Sequence, residues 1–130
     1  MRIEIYFQHI QDEIDASPMV DMSTIRFERR GESLGFIRGE LLLIDGSILH
    51  VREFVDATGT EIVRETYAYH YMNATPSFVF RYDNVDHHKK LNLSSHPHHK
   101  HDGGEQNIIA STAPTLADVL EEIGLLIRLE

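Results

Sequence analysis

Four histidines, His96, His98, His99 and His101, run into an acid and two glycines in the stretch HPHHKHDGG. Imidazole titrates near neutral pH and is the commonest protein ligand for metals, so such a cluster has more than one chemistry open to it. A metal centre would recruit these rings together with His87, His88, Asp86 and Asp102. A catalytic zinc wants three rigid ligands, however, and no spacing of the HExxH kind occurs. Acid–base catalysis on RNA is the second chemistry. One histidine with a pKa near ~6.5 takes the 2′-hydroxyl proton, another protonates the leaving oxygen, and fixed cations hold the phosphate. Arg81, Lys89, Lys90 and Lys100 are the cations at hand, and arginine suits phosphate because its planar fork grips two oxygens. The third reading is a solvated polar loop. His70, flanked by Tyr69 and Tyr71, joins the site if its face turns toward the cluster; otherwise it is a packing residue.

The elements on either side must position these groups. Ile3, Phe7, Ile10 and Ile14 recur at helical spacing, which predicts an amphipathic helix over residues 2–16, ended by Pro18. From Ser23 to Asp83, β-branched and aromatic residues alternate with charged ones between the turn signals RGES, DGS, ATGTE and NATPS. That texture predicts an antiparallel meander: STIRFERR, GFIRGELLLID, SILHVREFVDA, EIVRETYAYHYMNA and SFVFRYD. Residues 84–107 are too polar for core and too long for a hairpin turn. Within them HPHHKH can form a short polar strand, with His96 and His98 on one side and His99 and His101 on the other. NIIAS is a candidate sixth strand. TAPTLADVLEEIGLLIRL predicts a closing helix with Thr115 as N-cap and Asp118 three residues on. The expected class is α+β, a single domain over residues 1–130. It is an antiparallel β-meander of five to six strands with an N-terminal and a C-terminal helix packed on one face.

Composition narrows the functions further. The absence of cysteine removes disulfides, thiolate zinc sites and cysteine nucleophiles, and fits a reducing, cytoplasmic setting. No stretch is apolar enough to span a membrane. The net charge of −9 speaks against general attraction to nucleic acid. Charge is nonetheless uneven: residues 81–101 hold 4 basic and 2 acidic groups and six of the nine histidines. RNA binding by such a chain requires a concentrated basic cleft, and acids dispersed around the histidines would argue against it.

The run YAYHYMNATPSFVFRYDNVDHHKKLNLSSHPHHKH, with its YxYHY, FRYDN..HH and HPHHKH elements, resembles the TumE-type toxin family of prokaryotic toxin–antitoxin systems. GFIRGELLLIDGSILHVREFV is similar to that family's central strands. The resemblance implies a toxin encoded beside an antitoxin that carries a helix-turn-helix DNA-binding domain. The family supplies no catalytic residues to carry over, so the site is assigned from chemistry: His70, Arg81, His98, His99 and His101 as catalytic groups, and Tyr82, Asn84, His87, His88 and Lys100 as substrate-binding groups. The expected activity is metal-independent RNA cleavage with no cofactor. A second copy of the chain is a further candidate partner, and no membrane is expected. The alternatives are a non-catalytic module whose histidine loop docks a partner protein or a structural metal, and a metal-dependent hydrolase.

Overall fold

The computed structural model describes residues 2–85 and 95–128. It is an α+β fold: α1 (Ile3–Ala16), β1 (Val20–Ser23), β2 (Arg26–Arg30), β3 (Leu34–Leu43), β4 (Ile48–Asp56), β5 (Val63–Met72), β6 (Phe78–Asp83), β7 (His99–Asp102), β8 (Ile108–Ala110) and α2 (Leu116–Arg128). The strands form one antiparallel sheet in the order β1-β3-β4-β5-β6-β7-β8, with β2 also paired to β3.

Among the described residues the sheet has eight strands rather than five or six. The first expected strand, STIRFERR, begins only at Arg26 as β2, an additional strand β1 precedes it across a break at Thr24 and Ile25, and the polar HKHD segment is recruited as β7 by pairing with β6 and β8. The break has a steric cause. Gly39 sits at φ +151°, and a Cβ there would lie 2.6 Å from the Thr24 carbonyl oxygen. The chain crosses close over this glycine, fixed by Thr24 N–H to Glu40 O at 2.9 Å and Glu40 N–H to Thr24 Oγ1 at 3.0 Å.

Both helices cover one face. Ile10 and Ile14 of α1 and Leu116, Val119, Leu120 and Ile123 of α2 pack on Ile37, Leu41, Leu49, Val51, Tyr67, Tyr69, Tyr71 and Phe80. Gly35 makes room for α1, since a Cβ there would come within 2.6 Å of the Phe7 ring. The capping box expected of α2 is present: Asp118 N–H donates to Thr115 Oγ1 (3.2 Å) and Thr115 N–H to Asp118 Oδ2 (3.0 Å). A buried carboxylate crosses this core. Glu53 accepts from the Tyr6 hydroxyl and, at 2.6 Å, from Tyr69, whose own hydroxyl accepts from Arg64 Nη1. Strand alternation sends the remaining side chains to the opposite face, which among the described residues no helix covers.

Candidate active site

Directly opposed residues of an antiparallel sheet share a face, so the register sorts the uncovered side into rows. One row runs Glu40, His50, His70, Arg81, His101. The next runs Arg26, Arg38, Arg52, Ala68, Asp83, His99. Over β2 to β6 lies an open hollow of about 570 Å³, lined by Arg26, Arg38, Arg52, Arg81, His50 and His70, with Glu40 the one carboxylate among the described residues that line it. In a chain of net charge −9, four of the twelve Lys and Arg side chains and two of the nine histidines share this hollow. Strand pairing thus sets four arginines on one hollow, while Asp83 and Glu105 lie beside His99 and His101.

At the β6–β7 end of the rows a buried anchor holds Arg81. The Asp83 carboxylate accepts Val85 N–H on Oδ1 (3.0 Å) and Arg81 Nε–H on Oδ2 (3.0 Å). Arg81 also donates from Nη1 to Glu105 Oε1 (2.9 Å) and from Nη2 to His101 Nε2 (3.1 Å). Of the five N–H donors of a guanidinium, those three bonds leave two for a ligand. Carbonyl oxygens only accept, so the contacts of His99 Nδ1 with Pro97 O (2.8 Å) and His101 Nδ1 with Glu105 O (2.7 Å) place a proton on each Nδ1. Each Nε2 then faces Asp83, at 2.7 Å from His99 and 3.3 Å from His101. His101 Nε2 accepts from Arg81.

The same three side chains could ligate a metal. One ligand atom from each of Asp83, His99 and His101 lies within 4.8 Å of the others, all three residues are buried, and Nδ1–H donation to a carbonyl is usual for metal-bound histidine. Arg81 already occupies Asp83 Oδ2 and His101 Nε2, however, so a divalent ion would have to displace a guanidinium.

His70 is half-buried in the row. Burial, then the Arg81 cation, then His50 hold its pKa below the ordinary imidazole value, which keeps the ring neutral at neutral pH. Its Nε2 is enclosed and meets no hydrogen-bond partner among the described residues. Such an unmet atom in a native fold asks for an explanation, a catalytic role or an ordered water being two. The His50 ring lies 5.8 Å away, centroid to centroid.

The other residues nominated from sequence are placed differently. Lys100 and Tyr82 lie on the helix side, both bound to Glu122 of α2, at 3.1 and 2.5 Å. His98 Nδ1 is 2.9 Å from the hydroxyl of Tyr67. Burial pushes that phenol up to about 12, so it stays protonated and donates. Asn84 spends its amide on backbone, accepting from Tyr67 N–H (2.9 Å) and donating to Glu65 O (3.1 Å). His87 and His88 lie outside the described residues. The structure thus brings His70, Arg81, His99 and His101 together and sets His98, Tyr82, Asn84 and Lys100 apart from them. It adds His50, Asp83, Arg26, Arg38 and Arg52. Alternation in SILHVREFV already puts His50 and Arg52 on one face; what it lacks is the register that sets them beside His70.

No curated protein and no solved structure matches the chain. The family model described as Toxin TumE matches residues 9–127, a span that holds the second half of α1, α2 but for its last residue, and every residue of the two rows, and the chain belongs to the TumE toxin family.

Proposed function

We propose that this protein is a toxin that cleaves RNA without a metal ion, on the helix-free face of its sheet. Membership of the TumE family implies the toxin of a toxin–antitoxin system, with an antitoxin as its partner; we take that antitoxin to carry a helix-turn-helix domain and the toxin to act in the cytoplasm. The supporting observation is the register that sets His50, His70, Arg81 and His101 in one row beside the arginines of the next. His70, held neutral, takes the 2′-hydroxyl proton, and the 2′ oxygen attacks phosphorus. His50 gives a proton to the departing 5′ oxygen, leaving a 2′,3′-cyclic phosphate. Arg81 meets the crowded phosphate with its two remaining N–H groups, where charge builds in the transition state. Asp83, His99 and His101 are too buried to touch RNA and act as positioning residues through Arg81. Lys100, Tyr82, Asn84 and His98 support the strands that carry the site.

Expression without the antitoxin tests this. Wild type should arrest growth and the antitoxin should relieve it; His70→Gln should grow like an empty vector, and His98→Ala should remain toxic. Equal arrest by His70→Gln would remove the catalytic assignment. A second reading, a metal-dependent hydrolase, is favoured only by the geometry of Asp83, His99 and His101. It requires about one zinc or manganese per chain in protein purified without an affinity tag, and trace content would rule it out.

A further inference from the structure

Below the arginine row the same face carries an aromatic step that the cleavage chemistry does not use. Phe36 and Phe54 are directly paired across β3 and β4, both half-buried. Their rings stack at 4.7 Å between centroids with 19° between planes. The Arg30 guanidinium lies over Phe36 at 4.8 Å. Because β2 and β4 flank β3 on opposite sides, Arg30 takes one face of Phe36 and Phe54 the other. The stack then stops. The next residue in the row is Thr66, exposed and small, so among the described residues no further ring follows Phe54 in the row, and the space over Thr66 is a gap in the stack.

Position along the strands gives this gap a meaning. Phe54, Arg52 and His50 are successive same-face residues of β4, and two residues of strand rise about 7 Å, close to one step of an extended sugar–phosphate chain. A strand laid parallel to β4 with a phosphate at the His50–His70 row has its next phosphate over Arg38 and Arg52. The base beyond reaches Phe54. Every nucleobase has a π-face, and a base in a duplex has that face covered by its neighbours.

We propose that Phe54, backed by Phe36 and Arg30, is a base-stacking platform, and that the substrate of this face is single-stranded RNA with an unpaired base in the gap beside Thr66. This rests on the reading of the face as an RNA site and specifies the form of RNA it takes. Stacking of this kind tolerates any base, so the platform selects unpaired over paired RNA without selecting sequence.

The chain has no tryptophan, which makes Phe54→Trp a single fluorescent reporter at the platform. The probe is a 2′-O-methyl oligoribonucleotide of mixed sequence, which binds without being cleaved, presented alone and annealed to its complement. The single strand should quench the reporter saturably, and the duplex should bind at least ten-fold more weakly. Phe54→Leu, which keeps an apolar side chain but no ring, should weaken single-strand binding by roughly 5- to 100-fold relative to wild type, both read by fluorescence anisotropy of the dye-labelled probe. Equal binding of duplex and single strand overturns the proposal. So does wild-type affinity in Phe54→Leu; if Arg52→Ala is weakened in the same assay, the RNA face stands and only the platform falls. Failure of the wild type to bind either form overturns the platform and the RNA site together.

Discussion

Arg81 and His70 show how one residue's neighbours set what it can do. Arg81 is fixed through Asp83, itself buried and bonded to Val85 N–H and the guanidinium, with the His99 ring 2.7 Å away. A buried carboxylate without such partners would be costly. His70 is the counterpart, a ring pushed toward neutrality by burial and by that guanidinium. Its folded-state pKa lies below the unfolded value near ~6.5. Stability tied to His70 is therefore present above that value and lost as pH falls through the folded pKa, because the unfolded chain binds the proton more readily. Proton NMR should show His70 titrating below pH ~6.5, and Arg81→Met should move its midpoint upward; an unmoved midpoint would mean the two do not interact. Residue types alone were enough to nominate His70, Arg81, His99 and His101, since the histidine run and FRYDN carry them. They could not nominate Asp83 as the hub, because its role depends on burial.

At the scale of elements, the site exists because of a bulge. Asp56 pairs with Val63 and Val55 with Arg64, but Phe54 pairs with Thr66, so Glu65 is the extra residue. Continued without that slip, the register would set His50 opposite Tyr69 and separate it from His70. Bulges shift facing in this way and often lie near functional sites. Asn84 pins this one, since its side chain holds Tyr67 N–H and Glu65 O on either side of Thr66. Asn84→Ala should cost about 1–2 kcal/mol in urea unfolding, with a loss of activity larger than that of His98→Ala. Unchanged stability would show that the bulge holds without it. The helices, the β3–β5 strands and the α2 capping box were legible because periodicity and turn residues are local signals. The bulge, the break over Gly39 and the pairing of HKHD are tertiary outcomes that no window of sequence displays.

For the whole molecule, the two faces of the sheet divide the work. One is sealed by α1 and α2 around a core that includes Glu53 and its tyrosines; the other collects arginines in a chain that is acidic overall. Among the described residues no helix is long and apolar enough to cross a membrane. Binding by such a face should weaken with salt, because each neutralised phosphate releases counterions. Replacing Arg26, Arg38 or Arg52 by alanine should each lower the log–log salt slope for single-stranded RNA by about 0.7. Slopes identical to wild type would place the RNA elsewhere. Net charge read from sequence is an average and does not show which face its charges share. The most direct measurement of the central claim is cleavage of single-stranded RNA by tag-free protein in EDTA, with the ends of the products identified. The account predicts 2′,3′-cyclic phosphate ends from wild type and none from His50→Ala or His70→Ala; cleavage that stops in EDTA and returns with added metal, or that persists in both variants, would contradict it.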